Sequence, residues 1–80
     1  MDVERIITSK FASAVNRSPE EIDPNANLIQ YEGMNSILAV QLISQLESEF
    51  GIHIDQDEIR HIQTLNDIIS LTKKKVGQPA

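Results

Sequence analysis

The segment GMNSILAVQLISQLESEFGI, residues 33–52, contains the helix on which the fold prediction rests. Its apolar residues recur at intervals of three and four, the spacing of one face of an α-helix. We predict a helix from Ser36 to about Phe50, because Asn35 is a favoured N-cap and Gly51 readily adopts the left-handed conformation that ends many helices. The predicted core-facing stripe consists of Ala39, Leu42, Ile43, Leu46 and Phe50.

The same helix is apolar on more than one side. Ile37 and Val40 lie on a second face, together with Gln41 and Ser44, and Leu38 belongs to neither face. This surplus is explained either by partial burial under a loop or by an apolar patch that a partner covers. Of the two explanations we favour the partner.

The residues before this helix predict one further helix, a single turn and a long loop. The helix covers about residues 3–16, and its apolar stripe is formed by Val3, Ile6, Ile7, Phe11 and Ala14 or Val15. Ser18 and Glu21 then have the spacing of a capping box for the turn. Residues 25–34 show no sustained period and are predicted to be a loop that Leu28 and Ile29 pin to the core. Loops of this length in small domains are usually functional.

The residues after it predict two more helices. Asp55 and Glu58 form a capping box that opens a short helix, with Ile59 and Ile62 pointing inward. Thr64 caps the last helix, whose apolar face is formed by Leu65, Ile68, Ile69 and, as a further candidate, Leu71, with Gly77 and Pro79 beyond its end. The sequence therefore predicts an all-α, up-and-down bundle of three main helices and one short helix, in one domain spanning residues 1–80.

Composition limits what this bundle could do. The 80 residues include no cysteine, which excludes disulfides, thiolate metal sites and a cysteine nucleophile. The net charge of −5 repels a phosphate backbone, so we expect no nucleic-acid partner. No segment resembles a signal peptide or approaches the ~20 apolar residues of a membrane span, so we expect no membrane partner and a cytoplasmic location.

Ser36 occupies the first position of the predicted central helix. Its hydroxyl is expected to be exposed, close to free backbone N–H groups and to the positive end of the helix dipole. A phosphate group on Ser36 would be stabilised there. By itself this pattern is not specific, because polar residues begin many helices.

The longer segment GMNSILAVQLISQLESEFGIHI resembles the attachment-site segment of the acyl carrier protein family. The family pattern is a glycine, an apolar residue, an aspartate, the modified serine and a leucine or isoleucine, followed by a helix that ends in an acidic-Phe-Gly-Ile-like stretch. The order of the helices and the long loop with Leu28 match as well, so the resemblance covers essentially the whole chain. It implies a small four-helix bundle of the acyl-carrier type.

The resemblance implies that Ser36 carries a 4′-phosphopantetheine arm, transferred from coenzyme A by a phosphopantetheinyl transferase, with Asn35 as the helix cap beside it. Acyl intermediates would be held as thioesters on the arm and delivered to acyl-transferring or condensing synthases by a protein that is not itself an enzyme. A monomer is expected. The implied partner-binding face comprises Ile37, Leu38, Val40, Gln41, Ser44 and Glu47. A shelter for the acyl group would be lined by Leu42, Leu46, Ile54, Ile59, Ile62 and Ile68, which are equally explained as core.

Three departures from the family pattern affect the interpretation. Asn35 replaces the usual aspartate, which keeps the cap but loses a charge. Glu32 stands where an apolar residue is common, and Tyr31 where an acid is common. Leu38 stands where carriers of fatty acid synthesis usually have an acidic residue, which favours polyketide or nonribosomal peptide synthesis over primary fatty acid synthesis.

Other chemistry has little support in the sequence. His53 and His61 are eight residues apart and are expected on different elements, so a metal pair is not predicted. The acids at 55, 57 and 58 lack the glycine and the spaced glutamate of a calcium-binding loop. The alternative function is a carrier-like helical interaction module that has lost modification, for which Asn35 is the hint.

Overall fold

The computed structural model of the protein describes residues 2–77. Its four α-helices are α1 (Val3–Ala14), α2 (Ser36–Phe50), α3 (Gln56–Arg60) and α4 (Leu65–Val76). Two 3₁₀ turns, Pro19–Glu21 and Leu28–Gln30, lie between α1 and α2. No strand occurs within residues 2–77, and the predicted all-α fold of three main helices and one short helix is confirmed.

The ends of α2 follow from local side-chain and backbone chemistry. The Oδ1 atom of Asn35 accepts a hydrogen bond from the backbone N–H of Leu38 at 2.9 Å, as an N-cap does. Gly51 ends the helix in the left-handed conformation, with φ of 64° and ψ of 37°. The first helix is shorter than predicted and ends at Ala14, because Asn16 has a φ of 58° that a right-handed helix cannot contain.

The core lies between α1, α2 and α4. Its buried apolar side chains are Val3, Ile7, Phe11, Ala12, Val15, Ile22, Tyr31, Leu42, Leu46, Leu65, Ile68 and Ile69. In the predicted stripe of α2, Ala39 and Phe50 are only partly buried. Each fully buried large apolar side chain contributes about 1.5–3 kcal/mol relative to an exposed one. The core therefore holds α1, α2 and α4 together, and no side chain of α3 is fully buried.

Tyr31 is a core residue that the sequence analysis did not identify. Tyr31 is 8% exposed, and its ring packs edge-on against the ring of Phe11, with 5.4 Å between centroids. Its hydroxyl oxygen accepts a hydrogen bond from the backbone N–H of Asp23 at 2.7 Å. Glu32, the other departure in this segment, is exposed. Tyr31 thus fixes the long loop to α1.

In α4, the buried residues Leu65, Ile68 and Ile69 agree with the prediction, but Leu71 is only partly buried. The next residue, Thr72, is fully buried instead. Successive residues of an α-helix are rotated by about 100°, and Thr72 continues the three- and four-residue spacing from Ile69 and Ile68. Gly77 follows the helix directly, whereas Pro79 lies outside the described residues.

The long loop is joined to the start of α4 by polar contacts. The backbone N–H of Leu28 donates to the carbonyl of Gln63 at 2.8 Å, and that of Asn66 donates to the carbonyl of Pro24 at 3.0 Å. Leu28 is partly buried against the core, as predicted. The prediction for Ile29 is wrong, because its side chain is 77% exposed in the second 3₁₀ turn.

The lengths and composition of the helices also bear on membrane insertion. Over residues 2–77, no helix combines the length and the apolar character that crossing a bilayer requires.

Candidate functional site

Ser36 is the first residue of α2, and it is exposed. The backbone carbonyl of Asn35 accepts a hydrogen bond from the backbone N–H of Ala39 at 2.9 Å. The side chain of Asn35 accepts one from the backbone N–H of Leu38. The backbone N–H groups of Ser36 and Ile37 precede these and have no acceptor within the helix. They lie at the positive end of a helix of 15 residues, so the hydroxyl of Ser36 projects from a place that favours an anion.

An apolar cavity of about 220 Å³ opens beside Ser36. Its walls come from the long loop, α2, α3 and α4, and their apolar residues are Leu28, Ile29, Met34, Ala39, Leu42, Ile43, Ile59, Ile62 and Ile68. Polar side chains border it at Asn27, Asn35, Ser36 and Gln63. A small apolar group attached near Ser36 could therefore leave water without crossing a charged surface.

The cavity agrees only in part with the predicted shelter. Leu42, Ile59, Ile62 and Ile68 line it. Leu46 and Ile54 do not, and their exposures of 0% and 4% show that they are ordinary buried side chains. Leu46 belongs to the core between the three main helices, one turn farther from Ser36 than Leu42. Met34 and Ile43 line the cavity although the sequence analysis did not assign them to it.

The predicted partner-binding face is an exposed stripe for four of its six residues. Ile37, Val40, Gln41 and Ser44 are exposed, and their spacing of three and four places them on one side of α2. Ile37 is 71% exposed and Val40 is 59% exposed. None of the four residues is charged, so this stripe of α2 is neutral, and its two apolar residues, Ile37 and Val40, are those nearest to Ser36 along the helix.

The other two residues of the predicted face, Leu38 and Glu47, are less exposed. The expectation that Leu38 is exposed is wrong, because its side chain is partly buried. Glu47 is partly buried, and its Oε2 atom accepts the backbone N–H of Ile54 at 2.8 Å. The same oxygen lies 3.1 Å from Nδ1 of His53. Glu47 therefore organises the connection between α2 and α3.

Ile29 is a further exposed apolar residue near Ser36, since both border the same cavity. Sequence reasoning missed its position, because a segment without a period gives no signal for the direction of an isolated side chain. Within residues 2–77, three of the four exposed large apolar side chains lie at this cavity or in the first two turns of α2, namely Ile29, Ile37 and Val40. The fourth, Val76, is at the end of α4.

The resolved pKa shifts belong to helix ends away from Ser36. Hydrogen bonds from the backbone N–H groups of Ser18, Asp55 and Gln63 are the main cause of the lowered pKa values of Glu21, Glu58 and Asp67, respectively. In Glu58 the ammonium group of Lys75, 3.0 Å away, lowers the pKa further. These carboxylates cap helices, so their shifts have a structural cause.

The two histidines are on separate elements. His53 lies in the connection before α3, whereas Nδ1 of His61, at the end of α3, is 2.7 Å from the carbonyl oxygen of Asp57. Across the part of the chain that the structure describes, no group of three or more His, Cys, Asp or Glu side chains could hold a metal ion.

Comparisons with known proteins show similarity to one family over most of the chain. Residues 5–71 match the family described as "Phosphopantetheine attachment site". An acyl carrier protein of Nitratidesulfovibrio vulgaris (strain Miyazaki F) is 35% identical over 75 residues, which cover 94% of this chain and 99% of the relative. One of Thermotoga maritima is 36% identical over 75 residues, covering 94% and 88%.

The fold has a match among solved structures as well. The solution NMR structure of holo acyl carrier protein from Geobacter metallireducens superimposes with a TM-score of 0.79 at 18% identity. The match covers 95% of this chain and 87% of that one. At this identity the likeness concerns the fold alone.

Proposed function

The chain belongs to the acyl carrier protein family, and from this premise we propose that Ser36 is the residue to which its 4′-phosphopantetheine arm is attached. Members of this family are carriers and have no catalytic activity of their own. The observation that carries the assignment is the exposed hydroxyl of Ser36 at the start of α2, where Asn35 caps the helix.

The residues around Ser36 fit the cofactor. The phosphate of the arm is an anion, and the backbone N–H groups of Ser36 and Ile37 at the helix N-terminus suit an anion. The arm supplies a thiol that holds acyl groups as thioesters, which a chain without cysteine cannot supply itself. The cavity beside Ser36 is apolar and offers a place for part of the acyl group.

Partner enzymes are proposed to dock on the stripe Ile37, Val40, Gln41 and Ser44, with Leu38 and Glu47 at its border. These partners are a phosphopantetheinyl transferase, which must reach Ser36, and the acyl-transferring or condensing synthases. Because the stripe carries no charge, it supports contacts that depend little on salt, since screening acts on charged pairs.

We further propose that the synthases belong to polyketide or nonribosomal peptide synthesis rather than to primary fatty acid synthesis. The support is the absence of charge on the stripe, together with Leu38 in a place where fatty-acid carriers usually have an acid. Binding to a condensing enzyme of each class, measured at low and high salt, tests this choice. A monomeric state, a single domain over residues 1–80 and a cytoplasmic location stay predictions.

The attachment is tested by incubating the protein with coenzyme A and a broad-specificity phosphopantetheinyl transferase and measuring the intact mass. We expect a gain of one phosphopantetheinyl group, its loss in Ser36→Ala, and its retention in Ser48→Ala, a matched control with another exposed serine of α2, outside the proposed docking stripe. Circular dichroism should show that both variants are folded. A wild-type protein that gains no mass would favour the alternative function, an unmodified helical interaction module.

A further inference from the structure

Ile29 is an exposed apolar residue that neither the core nor the proposed docking stripe explains. Its side chain is 77% exposed, the largest fraction among the exposed large apolar side chains of residues 2–77. It lies in the loop before α2, whereas the stripe belongs to α2 itself. Single exposed apolar side chains are common on protein surfaces, so the position of Ile29 has to decide whether it has a role.

Ile29 lies at the border of the cavity beside Ser36. Both residues line this cavity, and none of the residues that line it is charged. On α2, Ile37 follows Ser36 directly and Val40 follows one turn later, and both side chains are exposed. Ser36 therefore has exposed apolar side chains near it on two elements, the second 3₁₀ turn and the beginning of α2.

The turn that carries Ile29 is fixed on both sides. At its first residue, the backbone N–H of Leu28 donates to the carbonyl of Gln63 at 2.8 Å. Within it, Oδ1 of Asn27 accepts the backbone N–H of Ile29 at 3.1 Å. After it, Tyr31 is buried, and its backbone N–H donates to the carbonyl of Leu28 at 3.3 Å. A hydrogen-bonded turn thus presents the side chain of Ile29 to solvent, so a partner that covers it orders little additional backbone.

Which partner covers Ile29 follows from the atom on which each partner acts. The synthases act on the thioester at the far end of the arm, so they need not contact the surface beside Ser36. A phosphopantetheinyl transferase acts on the hydroxyl of Ser36 itself. The serine oxygen must bond to the phosphorus next to the pantetheine part of coenzyme A while the phosphoanhydride bond breaks. The adenosine bisphosphate leaves with the bonding electrons, and the hydroxyl proton passes to a base of the transferase. The transferase must therefore cover the immediate surroundings of Ser36.

Resting on the proposed attachment at Ser36, we propose that Ile29 is a docking residue for the phosphopantetheinyl transferase, which contacts the carrier on both the second 3₁₀ turn and α2. The complementary surface of the transferase is apolar around Ile29, because neither the cavity lining nor the stripe of α2 offers a charge to pair with. The stripe of α2 is then the surface that all partners share, whereas Ile29 serves the modification step.

The docking role is tested by the initial rates of modification with a broad-specificity phosphopantetheinyl transferase, at saturating coenzyme A and over a range of carrier concentrations. Ile29→Ser should raise the KM for the carrier by about tenfold, since burying a large aliphatic side chain contributes roughly this factor to affinity. The kcat should not change, because Ile29 takes no part in the phosphoryl transfer. Ile29→Leu keeps the apolar area and should keep the wild-type KM. Val76→Ser is the matched control and should keep it too, because Val76 is exposed but does not line the cavity.

The outcomes separate this proposal from the attachment itself. Circular dichroism should show that all variants fold alike, since the changed side chains are exposed. An unchanged KM in Ile29→Ser, an effect on kcat alone, or an equal rise of KM in Ile29→Leu would overturn the docking role and leave the attachment at Ser36 intact. A wild-type chain that gains no phosphopantetheinyl group would contradict the proposed function, and this proposal with it.

A second copy of the chain is the other occupant to test. Analytical ultracentrifugation of the unmodified chain should give the same monomeric mass for the wild type and for Ile29→Ser. A wild-type dimer that Ile29→Ser dissociates would overturn the proposal, because Ile29 would then be covered by another copy of the carrier.

Discussion

Thr64 and Thr72 are threonines of the same helical segment whose hydroxyl groups have opposite surroundings. Oγ1 of Thr64 accepts the backbone N–H of Asp67 at 3.2 Å and caps α4. Oγ1 of Thr72 is buried, and it has no hydrogen-bond partner in the structure. The same substitution, threonine to valine, should therefore change stability in opposite directions at the two positions.

The magnitudes follow from what each hydroxyl does. An unpaired buried polar group costs about 1–3 kcal/mol, and valine has nearly the same size and helix propensity as threonine. Thr72→Val should therefore stabilise the protein by about 1 kcal/mol. Thr64→Val removes an N-cap and should destabilise it by a similar amount, about 1 kcal/mol.

Urea and thermal denaturation followed by far-UV circular dichroism measure both effects. For a chain of this size, 1 kcal/mol corresponds to a shift of the Tm of roughly 4–8 °C. The urea m-value should stay constant, since neither change alters the surface exposed on unfolding. The reasoning is refuted if Thr72→Val lowers the Tm, because the hydroxyl of Thr72 would then make a stabilising hydrogen bond.

Three further predictions concern the surface, the cap and acid. Ile37→Asp and Val40→Asp should change the free energy of unfolding by no more than ~0.5 kcal/mol and should weaken partner binding. Leu38→Asp, at a partly buried position, should destabilise the protein more. Equal denaturation curves for all three variants would contradict the assigned exposures. Asn35→Asp should be as stable as the wild type, within ~1 kcal/mol, because both side chains are good N-caps. It should be modified faster at limiting magnesium, because a carboxylate binds a hard cation better than an amide does. Equal modification rates for the variant and the wild type across a magnesium titration would show that Asn35 is only a cap. Backbone hydrogen bonds are the main cause of the lowered pKa values of Glu21, Glu58 and Asp67. The stability that these carboxylates contribute is complete above about pH 5, beyond the unfolded pKa values, and is lost as the pH falls through the lowered pKa values. Glu58→Gln and Asp67→Asn should therefore flatten the acid limb of a profile of unfolding free energy against pH.

The sequence predicts those parts of the fold that depend on neighbours along the chain. The bounds of α2 agree because its cap Asn35 and its left-handed Gly51 act within one turn of the helix. The capping box of Asp55 and the N-cap of Thr64 are local in the same way. The position of Ser36 at a helix start follows from the cap alone, and so could be predicted without any tertiary contact.

The remaining features depend on how elements meet in space. Tyr31 is buried because α1 brings Phe11 to it, and Ile29 is exposed because the loop is fixed through Leu28 instead. Ile37 and Leu38 are adjacent in sequence, yet Ile37 is exposed and Leu38 is partly buried. Which of the two is covered depends on the orientation of α2 relative to the rest of the protein, and this cannot be read from the sequence of the helix alone. The role of Glu47 in holding Ile54 likewise requires a contact across a turn.

The central claim, that Ser36 carries the arm, is tested most directly by locating the added group within the chain. Trypsin cuts after Arg17 and Arg60 and releases residues 18–60, a peptide with four serines, at positions 18, 36, 44 and 48. After modification with coenzyme A and a transferase, fragmentation of this peptide by tandem mass spectrometry assigns the group to one of them. We predict that it is found on Ser36 alone. A group on Ser18, Ser44 or Ser48 would contradict the assignment.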